Sequence, residues 1–484
     1  MGRIEYLHKL LKHRELSARE LAKQYLDAID RDNTALNAYV NVTREEALES
    51  AQKADEAFRK GEGVGLLTGI PMALKDNIST RGTETTCCSK ILRGYKPLYD
   101  ATAWSRLKAQ GAVLLGKTNM DEFAMGSSCE TSCFGPAHNP FDISRSTGGS
   151  SGGSAGAVAG NLAVYSLGSD TGGSVRQPAA FCGLVGLKPT YGAVSRSGLV
   201  AFASSLDQIG PMAQTVEDVA IVFDAIAGAD PLDSTSSKTY VPQTFKNLNN
   251  DIKGKTIGIV PQLFSEVSSE VAQAVESALK TFEGMGINLV SIDIPEIHYA
   301  LPAYHILACA EASSNLARYD GVRFGHRTGE GFASVNEMMI KTRSEGFSQE
   351  VKRRILMGTY VLSKGYCDAY YKKAQLLREG LSTAFEKAFE KCDAILAPTA
   401  PTTAFRTGTQ LSPVEAYKAD ICTAPVNIAG VPAVSLCCGY SHHELPVGMQ
   451  LIGRRFGEEA IMNLAYKFQQ NTDFVRTADW GVRL

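Results

Sequence analysis

Three residues stand in settings that suit nucleophilic chemistry: Lys75 at the end of the apolar run IPMALK, Ser150 inside STGGSSGGSAGAVAG, and Ser174 inside SLGSDTGGSVRQPAAFCG. The last segment carries features of a site on its own. AVYSLGSD is a strand candidate, TGG permits a tight turn that bares backbone N–H groups, and VRQPAAFCG can open a short helix. A serine at such a junction faces free donors of the kind that stabilise an oxyanion. Glycine clusters also mark plain structural turns, and from these residues alone both readings stand. Lys75 in isolation reads first as a surface lysine at a strand end, a reading that loses only beside the two serine motifs.

Other pattern matches fail on context. Gly111 to Thr118, GAVLLGKT, satisfies the phosphate-loop pattern G-x4-G-K-[ST] letter for letter. Its middle residues Ala112, Val113, Leu114 and Leu115 form an apolar strand, whereas a phosphate cradle must turn so that its N–H groups converge. Gly149 to Gly153, GSSGG, fits the nucleophile-elbow pattern with Ser151 at its centre. An elbow needs an apolar strand just upstream, and DISRSTG precedes it here. Of the five downstream histidines (His298, His305, His326, His442 and His443), none has a distinctive setting. Eleven cysteines, without a CxxC pair, fit no zinc pattern and read as reduced, mostly buried thiols.

The elements that must position these residues read as α/β. Up to about Gly61 the pattern is helical, with a Ser17–Glu20 capping box opening ARELAKQYLDAI. Short apolar runs then alternate with helical ones. GIPMALKD, AVLLGK, KTIGIV, INLVSIDI, DAILAP, AVSLCC and VGMQLIG are strands; Ala101 to Gln110, TVEDVAIVFDAIAG and SSEVAQAVESALKTFEGMG are helices. Such alternation predicts α/β layers around a largely buried sheet. The expected division is an N-terminal helical segment, 1–66, followed by a catalytic α/β domain, 67–484, with residues 230–251 as the expected flexible loop.

Composition narrows the function classes. The formal charge is -2, from 49 basic and 51 acidic side chains, so the chain lacks the basic footprint of a protein that grips nucleic acid unaided. The N-terminus carries charges where a signal peptide needs an apolar run, which makes a cytoplasmic protein the expectation. The 24 residues from Ser146 to Ser169 hold no formal charge, but thirteen are Gly or Ser, which excludes a membrane helix. Residues 148–198 contain 13 of the 45 glycines.

Together the segments around Lys75, Ser150 and Ser174 resemble the amidase signature family of Ser/cis-Ser/Lys hydrolases, and the similarity spans nearly the whole chain. The resemblance implies the amidase-signature fold, a large mixed central sheet covered by helices on both faces. It makes Ser174 the acyl-forming nucleophile, Ser150 a bridging serine after a cis peptide bond, and Lys75 the base. The main-chain N–H groups of Thr171, Gly172, Gly173 and Ser174 become the oxyanion donors. A lysine acts as a base only when neutral, and deprotonating an ordinary one at pH 7 costs about 4.6 kcal/mol. The apolar residues before Lys75 suit the required desolvation. Asp76 opposes it if it pairs with the ammonium, so its carboxylate is expected to point elsewhere.

The rest of the chain bears on the substrate. EASSNLARYDGVRFG, GFSQEVKRRILMGTYVLSKGYCDAYYKKA and DICTAPVNIAGVPAVS are similar to the glutaminase subunits of bacterial tRNA-dependent amidotransferases. On that resemblance Arg353 binds the α-carboxylate of glutamine, Asp420 its α-amino group, and Tyr304 lines the pocket. The role types make physical sense, since an amino acid offers a carboxylate to an Arg fork and an ammonium to an anion. Choosing Arg353 over Arg354 rests on the family pattern. The resemblance also implies a heterotrimer with subunits B and C. The B partner holds most of the misacylated tRNA, and uses ATP and magnesium to turn Glu-tRNA(Gln), or Asp-tRNA(Asn), into the amide. This chain itself needs no cofactor or metal. The alternatives are a stand-alone amidase acting on a small or lipid carboxamide, and a non-catalytic assembly or nucleotide-binding subunit.

Overall fold

The computed structural model describes residues 1–409 and 412–482. Eleven of its strands form one mixed sheet: β1 (Tyr39–Val42), β2 (Pro71–Lys75), β3 (Val113–Thr118), β6 (Tyr165–Asp170), β7 (Val185–Lys188), β8 (Gln208–Ala213), β9 (Thr256–Ile259), β10 (Asn288–Ser291), β11 (Ala394–Pro398), β12 (Ala433–Tyr440) and β13 (Pro446–Ile452). Two more, β4 (His138–Asn139) and β5 (Asp142–Ser146), pair as a separate small hairpin. The order across the large sheet is β1-β3-β2-β6-β8-β7-β12-β13-β11-β9-β10.

Both faces of the sheet are covered, and the alternation of side chains along a strand shows it. On β11, Ala394 and Leu396 belong to one hydrophobic core, Ile395 and Ala397 to another. The helices at Val216–Ile226, Ser269–Gly284 and Glu458–Gln470 contribute to the first core; those at Ala300–Asn315 and Lys372–Ala388 contribute to the second.

β2 runs parallel to both β3 and β6, pairing Met72 with Tyr165 and Leu74 with Leu167. Their carboxyl ends therefore open on the same side, which is where ligands bind in parallel α/β sheets. Lys75 closes β2, and the turn carrying Ser174 follows directly on β6.

The N-terminal segment is helical at Arg3–His13, Ala18–Leu36 and Arg44–Lys60, and its Ser17–Glu20 capping box is formed. It also holds β1, an edge strand antiparallel to β3. Four residues flanked by long helical patterns give no readable strand period, so the helical reading passes over it. Leu7, Leu11, Leu21 and Leu26 share one core with Leu115 and Leu167, so this segment packs as part of the sheet's own layer. The loop expected to be flexible is irregular yet tied down. Asp230 accepts from Thr102 Oγ1 at 2.6 Å, Asp233 accepts from the Arg196 N–H at 2.8 Å, and Thr244–Asn247 forms a short helix. The eleven cysteines are free thiols, nine of them buried.

Candidate active site

Lys75 is fully buried, and its Nζ contacts three oxygens: Ser150 Oγ at 2.7 Å, Ser169 Oγ at 2.9 Å and the Ser169 carbonyl at 3.2 Å. Burial lowers its pKa from the usual lysine range to about 8, against the opposing pull of Asp121 and more distant acids. Asp76 points away from it. That carboxylate accepts from the Thr86 N–H at 3.0 Å and from the Thr86 hydroxyl, and lies 3.5 Å from Lys117 Nζ. The expectation for Asp76 thus holds.

Ser150 follows a cis peptide bond after Gly149. Its carbonyl accepts from the Asp121 N–H at 3.2 Å, and the next residue's N–H, that of Ser151, donates to the Ser174 carbonyl at 3.1 Å. These bonds place the two glycine-rich segments side by side. Ser174 is itself 7% exposed, so the nucleophile candidate is reachable while its supports are dry.

The turn before Ser174 is held by a buried network that motif reading missed. Asp170 accepts from the Gly173 N–H at 2.9 Å, the Val175 N–H at 3.1 Å and Asn427 Nδ2 at 2.8 Å, and pairs with Arg176 at 3.1 Å. Burial alone pushes the Asp170 carboxyl up; Arg176 and the other donors overcome this and bring it to about 2. Arg176, wholly buried, also donates to Gln450 Oε1 at 2.8 Å and the Thr423 carbonyl at 3.2 Å. Gly173 sits at φ +138°, where a side chain would be strained, and a Cβ there would fall 2.2 Å from Thr423 Oγ1.

This network corrects one expectation. The Gly173 N–H is turned back to Asp170 and is not free to meet an oxyanion. Among the described residues, the N–H groups of Thr171, Gly172 and Ser174 have no protein acceptor, which leaves three donors where four were expected.

The substrate-side residues gather nearby. Tyr304 lies against the turn, because a Cβ on Gly172 would fall 2.4 Å from its ring Cζ. Asp420 is buried and accepts from Ser127 Oγ at 3.0 Å; burial raises it to about 7 despite that bond. A cleft of about 890 Å³ has Ser127, Glu350, Arg353, Arg354 and Tyr417 in its walls, and Asp420 adjoins it through its bond to Ser127. The two arginines differ sharply. Arg354 is buried, donates through Nε to Glu350 at 2.8 Å and lies over the rings of Phe202 and Tyr417. The Arg353 side chain is 43% exposed and pairs with the other carboxylate oxygen of Glu350.

The Amidase family model matches residues 20–462. This chain belongs to the amidase signature family. It is 54% identical over 473 residues, covering 97% of this chain and 96% of the relative, to a protein of Caldanaerobacter subterraneus subsp. tengcongensis named as the A subunit of glutamyl-tRNA(Gln) amidotransferase. A protein of the same name from Carboxydothermus hydrogenoformans is 54% identical, with 96% of each chain covered. The crystal structure of the corresponding A subunit from Thermotoga maritima superposes with a TM-score of 0.80 at 39% identity, covering 96% of this chain and 95% of that one.

In this amidase-signature chain the rejected motifs have structural explanations. GAVLLGKT is β3 and the residues leading into it; Val113 to Thr118 are all buried, and Lys117 faces Asp76. Ser151 precedes the helix Gly152–Ala159, with its hydroxyl on the Ser169 carbonyl at 3.2 Å. No histidine bonds to it among the described residues. His305 is buried and stacked on Tyr417, and burial lowers its pKa to about 3. Ser169, Asn77, Asp121, Asp170, Arg176, Thr423 and Glu350 complete the site without forming a readable motif. A carboxylate directly before TGGS, and an arginine two residues after the serine, were the available signals for Asp170 and Arg176.

Proposed function

We propose that the chain is the glutamine-hydrolysing subunit of a tRNA-dependent amidotransferase and supplies ammonia for converting Glu-tRNA(Gln) into Gln-tRNA(Gln). The observation that carries this reading is a pair of opposite poles at one cleft: Arg353 in its wall, and the buried Asp420 behind it, bonded to the wall residue Ser127. Those poles match the carboxylate and ammonium of a free amino acid. Arg353 is taken over Arg354 because its side chain is 43% exposed, whereas Arg354, which also lines the cleft, is buried between Glu350 and two rings. The substrate ammonium would restore the charge of Asp420, which burial pushes toward neutrality. The relatives named as subunits of this enzyme match almost the entire chain.

In the mechanism that follows, neutral Lys75 takes the proton of Ser150 while Ser150 takes that of Ser174, and the Ser174 oxygen attacks the carboxamide carbon. The carbonyl π electrons move to oxygen, where the N–H groups of Thr171, Gly172 and Ser174 receive the charge. Collapse breaks the C–N bond, and the nitrogen leaves as ammonia with the proton returned through Ser150 from Lys75. Water then cleaves the glutamyl ester by the same relay. ATP and magnesium serve a partner, which activates the misacylated tRNA, and a third subunit joins the two. No helix among the described residues is long and apolar enough to cross a membrane.

The test is glutamine-dependent amidation of Glu-tRNA(Gln) by the chain assembled with its partner subunits. Activity with glutamine is expected to vanish in Ser174→Ala and to return when an ammonium salt is supplied. Full turnover of an aryl or acyl amide, with none on glutamine, would overturn the reading in favour of a stand-alone amidase.

A further inference from the structure

The three contacts of Lys75 Nζ are unequal in what they can give back. Ser150 offers a hydroxyl whose proton is to be abstracted. Ser169 offers a carbonyl, which only accepts, and a hydroxyl oxygen, which already accepts from Asn77 Nδ2 at 2.9 Å. An ammonium has three N–H groups and finds an acceptor for each. A neutral amine has two N–H groups and one lone pair. With both N–H groups held by Ser169, the lone pair falls on the third direction, toward Ser150 at 2.7 Å.

We infer that Ser169 is a positioning residue for proton transfer, accepting both N–H groups of neutral Lys75 so that its lone pair faces Ser150, and that Asn77 fixes the Ser169 hydroxyl in that role. The inference rests on the proposed hydrolytic mechanism and deepens it. Each member is placed by regular structure. Ser169 is the next-to-last residue of β6, Lys75 the last of β2, and Asn77 follows two residues later, with its carbonyl accepting from the Val200 N–H at 2.9 Å. All three are buried, so no water competes for the hydroxyl. A hydroxyl and a carbonyl hold the amine without a counter-charge. A carboxylate in the same place would fix the ammonium and abolish the base. The acids whose fields reach Lys75 form no ion pair with it: Asp121 after β3, Asp170 at the end of β6 and Asp207 before β8, and the buried thiols of Cys129 and Cys87 are also coupled to it.

The experiment is ammonia release from glutamine, measured from pH 6 to 10, by the full-length chain assembled with its partner subunits, as wild type, Ser169→Ala, Ser169→Thr and Asn77→Ala. In Ser169→Ala kcat should fall by roughly ten- to a hundredfold with KM nearly unchanged, the lower end being reached in Asn77→Ala. Removing an acceptor disfavours the ammonium, so the acidic limb of the rate profile should move to lower pH even as the maximum falls. Ser169→Thr, which keeps the hydroxyl, should restore both. A lowered rate with an unmoved limb, or a wild-type rate in Ser169→Ala, would overturn the inference. If wild type hydrolyses another carboxamide but not glutamine, the substrate reading fails and the same four proteins test Ser169 on that amide.

Discussion

Lys75 and Lys117 lie at the ends of adjacent parallel strands, both are fully buried, and burial lowers the pKa of both, yet their partners are of opposite kinds. Lys117 meets the Asp76 carboxylate at 3.5 Å, the Ile78 carbonyl at 2.8 Å and Thr85 Oγ1 at 2.9 Å. Lys75 meets hydroxyls and a carbonyl. A lysine with a carboxylate partner is a stabilised cation; a lysine among neutral acceptors is a base in waiting. The same contrast separates Arg353 from Arg354, and Ser150 from Ser151. In each pair one neighbour is tied into the scaffold and the other is left with a group it can exchange.

The largest expected effect is on the lysine assigned to chemistry. Lys75→Ala should lower glutamine hydrolysis by on the order of 10³-fold or more while the protein still folds, as initial rates and a thermal melt would show. An active Lys75→Ala would move the base elsewhere. Next is Lys117→Met, which leaves Asp76 buried without its cation and should cost about 3–5 kcal/mol of stability in denaturant unfolding. Its folded fraction should keep hydrolytic activity, and a stable but inactive Lys117→Met would erase the distinction between the two lysines.

The arginines extend the contrast at smaller magnitude. Arg353→Ala should raise KM for glutamine about tenfold or more, for about 1.5–3 kcal/mol of lost charge-assisted hydrogen bonding, with little change in stability. Arg354→Ala should do the reverse, because it strips Glu350 of its buried partner and two rings of their cation. Exchanged phenotypes would reassign the pocket. The gentlest probe is pH. In the proposed mechanism Lys75 reacts as the neutral amine, and burial brings its pKa down to about 8, so kcat/KM should fall as pH drops through about 8 and level off above it.

How much of this was legible in the sequence depended on how far apart the cooperating residues lie. The strand IPMALK, the strand SLGSD and the serine turn between strand and helix were readable, because each is a local pattern with one outcome. The groups that aim them were not. Asp170 and Arg176 are six residues apart, but the groups that complete their pairing, Asn427 and Gln450, lie more than 250 positions further on. Nothing local to NIAG or GMQLIG marks them as supports for a distant serine. Ser169 looked like an ordinary strand residue, since its importance comes from a backbone carbonyl and a hydroxyl facing the neighbouring strand's last side chain. The turn beside Ser174 shows the same limit. TGGS promised four bare N–H groups, and only the fold reveals that Asp170 takes the one from Gly173. β1 was hidden by its length, four residues between two long helices.

Whether a neutral, buried Lys75, working through Ser150, makes Ser174 the nucleophile is decided by trapping the acyl intermediate. The partner-assembled chain is mixed with glutamine, quenched rapidly in acid, and the acylated residue is located by peptide mass analysis. A glutamyl ester on Ser174, absent in Lys75→Ala, is the expected result. A glutamyl group on Ser151 or on a cysteine, or undiminished labelling of Ser174 without Lys75, would contradict it.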